Sequence, residues 1–425
     1  STQSTGMTKN QLQDEGEYLL DETVSNTTDE NYIKLEKYQK PMTALVNFAN
    51  SVLGSGVLAG SYTMSLQGYV FAPIMYLVFF AQTAVSYWMT KRSVDLNHKF
   101  TYRALVDCHF RRWFGYLVAV FHMIFNVGCL ISYTIVCKDN FFFYNKQDPQ
   151  YSLWRALTLC GVMFLVVMPL CYLRTLDSLK FNSYVDVAAM LFLIVALAIT
   201  YFQKEVKPVL KAFNFNAKTL YAIPMMAHTY SATMQFNFSG IYKELEDRQR
   251  NIFKVTFSNS VLALFVYFAA AFFGYFTYGS DTQSNVIRNL GAEGTWVSIM
   301  ANCFMIAMIV VHTPVVVYNL RKAFENFIFG QAEVARKWEV IIATGICVFV
   351  TAVGAFVDKI DNILDFSSSL CGGLIGLVVP GLLFVHTVDE KWKKTLGYLF
   401  AGVGGAVVAF GFGIACFKWF VNGGK

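Results

Sequence analysis

Asn50, Ser51, Gly54, Ser55, Gly56 and Val57 stand inside one apolar stretch, Ala44 to Gly60, which is long enough to cross a bilayer. A Gly-Ser-Gly break there frees backbone N–H and C=O groups. Hydrocarbon cannot satisfy them unless the break is buried in protein or lines a cavity. Freed carbonyls, that of Leu53 among them, and the Asn50 amide oxygen suit a cation. N–H groups at the start of the second half-helix, near Gly56 and Val57, suit a carboxylate. Small residues also pack helices closely; Asn50 just ahead of two closely spaced glycines favours binding.

Three further groups carry polar chemistry in apolar surroundings. His228, Thr229, Tyr230 and Ser231 interrupt the run from Ala222 to Ile241. An ionisable residue at membrane depth is a functional candidate by default, because its desolvation is costly. His228 reads equally as a neutral packing residue; its polar neighbours place it on a substrate cavity. His312 and Thr313 precede Pro314, so they either complete a cation or proton site with the first span or serve a proline kink whose freed carbonyl takes the Thr hydroxyl. Tyr133 can close the site with its ring and hydroxyl, and His122 reads as structural. Asp365 to Ser369 is a candidate outer gate or a packing surface.

These residues need a membrane scaffold to position them. The chain has 425 residues, 55% hydrophobic and only 15% charged, where soluble domains carry about a quarter charged. Apolar runs repeatedly reach the ~20 residues of a membrane span. The fold class expected is an all-α polytopic membrane protein with eleven transmembrane helices. The nine cysteines are scattered with no C-x-x-C spacing, which gives no support to a zinc or redox centre. No metal beyond Na⁺ and no cofactor beyond a coupling ion, Na⁺ or H⁺, is implied. No nucleic-acid partner is implied by the +6 net charge, whose distribution around the spans is membrane-like.

Residues 1–40 read as a disordered, acidic cytosolic tail, and residues 41–421 as the transmembrane domain. No apolar leader stands ahead of the first span. Glu15-Gly16-Glu17-Tyr18-Leu19-Leu20 is similar to an acidic dileucine signal, which implies sorting machinery as a partner. Lys91, Arg92, Arg111, Arg112, Arg248 and Arg321 fall on one side when the N-terminus is cytosolic, so the positive-inside rule sets the N-terminus in and the C-terminus out. With five spans before the sixth, spans 1–5 and 6–10 run in opposite senses. The breaks in spans 1 and 6 then occupy matching positions of inverted halves, the best sequence pointer to a transporter site.

Asn50-Ser51-Val52-Leu53-Gly54-Ser55-Gly56-Val57-Leu58 resembles the first-helix signature of the amino acid/auxin permease family, nearest its sodium-coupled neutral amino acid transporter branch. Further segments agree in order: Asn126-Val127-Gly128 with Ser132-Tyr133, Pro169-Leu170 with Leu173-Arg174, Gly240 to Leu245, Pro314-Val315-Val316 with Arg321, and Val379-Pro380-Gly381-Leu382. The resemblance spans residues 41–420. It implies a LeuT-type five-plus-five inverted repeat with helices 1 and 6 broken, and amino acid transport by alternating access. It also implies a sodium and substrate role for Asn50. His312 stands where the family carries a sodium-linked Thr, which opens proton coupling as an alternative.

The function expected is a secondary active transporter of neutral amino acids, neutral because no Asp or Glu is assigned to the pocket. The alternative is a membrane amino acid sensor signalling through its tail with little flux. No catalytic constellation points to an enzyme. The membrane is lysosomal, vacuolar, endosomal or plasma membrane.

Overall fold

Apolar runs this long have one economical solution in hydrocarbon: helices that satisfy every backbone group internally. The computed structural model follows it, and describes residues 38–52, 54, 56–140, 150–173, 182–216, 219–227, 233–329, 334–357, 367 and 369–421. Residues Gln39–Lys425 form one compact unit. Residues 1–37 of the expected tail, Glu15–Leu20 among them, lie outside the described residues.

The chain opens with α1 (Pro41–Val52) and α2 (Gly56–Gln67), then α3 (Phe71–Asn97), α4 (Tyr102–His109), α5 (Arg112–Asp139), α6 (Tyr151–Cys171) and α7 (Asn182–Gln203). It continues with α8 (Thr219–Ala227), α9 (Thr233–Glu244), α10 (Arg248–Tyr278), α11 (Val286–Ala292), α12 (Trp296–Phe329), α13 (Arg336–Phe356), α14 (Ser369–Thr387) and α15 (Lys391–Val421). Nine of these, among the described residues, are long and apolar enough to cross a membrane. The first and sixth of the expected spans fall on the shorter helices α1 and α2, and α8 and α9, respectively. The order of elements repeats: a split helix, a long helix, a short surface helix, then three spans, from α1 to α7 and again from α8 to α14. An odd number of crossings separates the copies, so the second is inverted relative to the first.

Local chemistry explains the ends and irregularities. Pro41 opens α1, where its missing N–H costs nothing. Thr101 caps α4 by accepting from the Ala104 N–H at 3.3 Å, and Asn285 caps α11 through Ile287 at 3.2 Å. These caps found short helices within the connections Lys91–Arg112 and Tyr278–Thr295. The widened turns Val162–Val167 and Leu374–Val378 each precede a proline, Pro169 and Pro380. Pro380 has no N–H for the Gly376 carbonyl four residues back. That carbonyl accepts instead from Ser86 Oγ at 2.8 Å and Gln82 Nε2 at 3.2 Å, which pins α3 to α14.

The surface is apolar and the interior holds the polar groups. Leu165 and Phe253 are 79% and 72% exposed, while Thr83, Ser86 and Asp186 are fully buried. Thr83, Ser132, Thr200 and Ser260 donate to carbonyls four residues back in their own helices, which satisfies them without a partner helix. The closest helix approach uses small residues: a Cβ at Gly381 would lie 2.6 Å from the Gly397 carbonyl oxygen, so α14 and α15 meet backbone to backbone.

Candidate functional site

The first span breaks where its sequence demands. Helix α1 ends at Val52, Gly54 is a bend, and α2 begins at Gly56. The Gly54 N–H donates to the Val52 carbonyl at 3.1 Å, and the Val57 N–H to the Gly54 carbonyl at 3.1 Å. The Val57 amide, expected to face a carboxylate, is therefore engaged within the break itself. The Val52 carbonyl also accepts from the Tyr267 hydroxyl of α10 at 2.7 Å, which satisfies one group the break exposes. Asn50 is buried in α1, and its amide oxygen has no hydrogen-bond partner among the described residues. Ser51 lies in α1. Leu53 and Ser55 fall outside the described residues.

Tyr133 of α5 reaches the break as expected. A Cβ on Gly54 would lie 2.8 Å from the Tyr133 hydroxyl oxygen, closer than real Cβ contacts come, so glycine is what permits the approach. The other edge of the site is His312. Its ring meets Tyr133 edge-on, with centroids 5.2 Å apart and an interplanar angle of 77°. The His312 Nδ1 lies 2.5 Å from the Asp186 carboxylate of α7. Asp186 is fully buried, and Asn182 one turn earlier reaches both its oxygens at 3.2 Å when its amide nitrogen faces them. A continuous path of contacts thus runs Gly54–Tyr133–His312–Asp186.

Asp186 is a buried acid that the sequence reading did not single out, and it meets His312. It is the only charged residue of α7, and a lone acid within an apolar span was the signal that could have found it. Its place five residues into the helix, near the end of the apolar run, weakens that signal. Tyr267 and Asn182 carried no sequence signal of their own. Thr313 is fully buried, yet its hydroxyl has no partner among the described residues, so it does not satisfy a carbonyl freed by Pro314. Helix α12 runs unbroken through that proline. Asn50 and Thr313, assigned together to a cation site, sit on helices that both pack against α7.

On the sixth span, α8 ends at Ala227 and α9 begins at Thr233. His228, Thr229, Tyr230 and Ser231 lie in that interval, outside the described residues, as do Asp365, Phe366 and Ser368. The two split spans are tied at both ends. At the end of the bundle that carries Pro41, Gln39 pairs with the close of α9: its N–H donates to the Glu244 carbonyl at 2.7 Å, and its carbonyl accepts from the Glu246 N–H at 3.0 Å. The Gln39 amide also donates to the Glu244 carboxylate at 2.6 Å. At the opposite end, the Asn214 N–H donates to the Gln67 carbonyl at 3.0 Å, and the Thr219 hydroxyl to the Leu66 carbonyl at 3.1 Å. Between the ties, Gly56, Gly60, Met225, Met226 and Tyr267 border a cavity of about 10 Å³, room for about one water.

Residues 38–419 match the family model described as transmembrane amino acid transporter protein. Among curated relatives, amino acid transporter AVT6B of Arabidopsis thaliana is 23% identical over 389 residues, covering 83% of this chain and 84% of the relative. Sodium-coupled neutral amino acid symporter 2 of Danio rerio is 20% identical over 390 residues, covering 83% and 76%. Among solved structures, MhsT in complex with L-phenylalanine aligns with a TM-score of 0.57 at 13% identity, over 89% of this chain and 99% of that one. A manganese transporter of Eremococcus coleocola aligns at 0.59 and 12% identity, over 94% and 90%. At such identities the likeness shows the fold alone, and that fold is the LeuT type.

Proposed function

The chain belongs to the transmembrane amino acid transporter family, and on that premise we propose that it is a secondary active transporter of neutral amino acids working by alternating access. The observation that carries this is the break at Val52–Gly56, joined through Tyr133 to the buried His312–Asp186 pair. The substrate carboxylate binds at the start of α2, where the half-helix N-terminus offers N–H groups and a positive dipole end. Its amino group meets carbonyls of the broken spans, and its side chain faces His228–Ser231. A neutral substrate is supported by charge balance: the acid on the contact path, Asp186, is already engaged by His312. The name of the Danio rerio relative points the same way.

The coupling ion is Na⁺ or H⁺, and the His312–Asp186 pair favours the proton. One proton held between the imidazole and the carboxylate, 2.5 Å apart, would make the pair net neutral. Removing that proton leaves an unpaired anion out of water, at a cost of several kcal/mol. The pair therefore exchanges its proton when its surroundings open to water and keeps it when they close. Sodium finds its donors in the unpartnered Asn50 amide oxygen and the Thr313 hydroxyl. The N-terminus faces the cytosol, because the basic residues gather at the end of the bundle that carries Pro41.

Flux in proteoliposomes, with Na⁺ and pH gradients imposed separately, tests all of this. Alanine and glutamine should accumulate ahead of arginine and lysine, and the pH gradient should drive them. Preference for arginine or lysine would end the neutral-substrate proposal. Accumulation driven by Na⁺ alone would end proton coupling. Unchanged transport and ion dependence in Asn50→Ala would remove Asn50 from the site.

A further inference from the structure

Helices α3 and α10 cross next to α9 and leave a groove on the bilayer-facing side of the bundle. Tyr87 and Phe238 form its floor, Trp88, Phe253 and Phe257 its rims, and Lys91 one end. Its volume is about 80 Å³, several times the ~10–15 Å³ that one water needs. The wall offers water little. Thr256 and Ser260 line it, but their hydroxyls donate to the Ile252 and Thr256 carbonyls of their own helix at 2.9 Å each. The rims stand open to the surroundings: Trp88 is 47% exposed, Phe257 50% and Phe253 72%. A dry, aromatic groove between two membrane-spanning helices is filled by hydrocarbon.

The polar end says which hydrocarbon. Lys91 donates to Asp95 at 2.5 Å and to Gln249 at 2.9 Å, which engages two of its three protons. Its ammonium also lies 5.7 Å over the Tyr242 ring. Arg92, Arg248, Arg250 and Lys254 stand in the terminal turns of α3 and α10 at this end and outnumber the carboxylates there, Asp95, Glu246 and Asp247. Cations there attract anionic headgroups, each contributing about 1 kcal/mol near the surface. We propose that this groove is a binding site for one anionic glycerophospholipid of the adjoining leaflet, with an acyl chain on Tyr87 and Phe238 and its phosphate at Lys91.

The site bears on the moving parts of the bundle. Tyr87 stacks on Phe238 at 5.3 Å and meets Phe48 of α1 at 5.8 Å, and Phe238 stacks on Tyr242 at 5.9 Å. The floor is thus an aromatic stack joining α1 and α9, halves of the two broken spans. A chain seated on it holds α9 against α3. The lipid is therefore a regulator of whichever motion separates them, and its binding stands apart from the transport proposal.

The test is unfolding temperature and native mass spectrometry of the purified full chain in detergent, titrated with phosphatidylglycerol or phosphatidylcholine. Phosphatidylglycerol should raise the unfolding temperature more and survive as one bound lipid. Ala84→Phe, which fills the groove from an exposed rim position, should abolish both effects while leaving the lipid-free unfolding temperature unchanged. Should that variant fail to fold, Phe253→Ala strips a rim instead and should weaken binding. Lys91→Gln should lower the preference for phosphatidylglycerol about fivefold. Equal response to both lipids, or a wild-type response in Ala84→Phe or in Phe253→Ala, overturns the proposal. A shift produced by inorganic phosphate alone would assign the cations to a free anion and likewise overturn it.

Discussion

Gly54 and Tyr133 form the tightest test at the scale of single residues. Alanine at 54 would place a methyl 2.8 Å from the Tyr133 hydroxyl oxygen, whereas the next ring atom lies at 3.8 Å, ordinary contact distance. Gly54→Ala should therefore destabilise the protein by about 1–3 kcal/mol, the usual range for overpacking. Removing the hydroxyl relieves it, so Gly54→Ala with Tyr133→Phe should unfold near the temperature of Tyr133→Phe alone. Equal loss in the single and double variants would show that the two residues do not meet. Asp186→Asn should cost about 3–5 kcal/mol of stability, read as a lower unfolding temperature, because the buried pair with His312 loses one partner. Asn50, Gly54, Tyr133 and His312 were legible in the sequence, as polar or conformationally permissive residues in apolar runs. Asp186 was not, because its meaning lies in what faces it, 126 residues away.

At the scale of elements, the sequence announced the breaks and missed the short helices. A Gly-Ser-Gly run breaks a span by local chemistry alone. Helix α4, by contrast, depends on a Thr101 cap and on docking against its neighbours, and its weak apolar pattern did not stand out. That docking makes a prediction. His109 of α4 stacks on His386 at the end of α14, with centroids 5.4 Å apart and rings 12° from parallel, and Asn97 lies 2.9 Å from its Nε2. Partial burial first, and His386 second, hold the His109 imidazole below its ordinary pKa. The folded protein then binds fewer protons than the unfolded chain near that value, so stability is present above about pH 6.5 and is lost as pH falls through it. Unfolding temperature measured from pH 8 to pH 5 should drop, and His386→Gln should shrink the drop without removing it. An identical pH profile in that variant would detach the two imidazoles.

At the scale of the molecule, the inverted repeat has a mechanical consequence. Both split spans are tied to each other at both ends, by Gln39 with Leu245 at one and by Gln67 with Asn214 at the other. Helices α1 and α2 meet at the break around Gly54, which lets the two ties release independently. Alternating access needs that independence, because one route to the site must open while the other stays shut. Cysteine pairs in a background with the nine native cysteines replaced would lock the ties one at a time. Gln39→Cys with Leu245→Cys should form a disulfide that stops substrate exchange across a proteoliposome membrane, and a reductant should restore it. Gln67→Cys with Asn214→Cys should do the same from the other side. Each lock leaves one face able to open, so substrate should still bind from the unlocked face of the stopped protein. Transport that continues with either bridge formed would mean that these ends do not move. Binding lost in both locked forms would mean that the two ends must move together, as in a pore that opens at both faces at once and not in an alternating transporter.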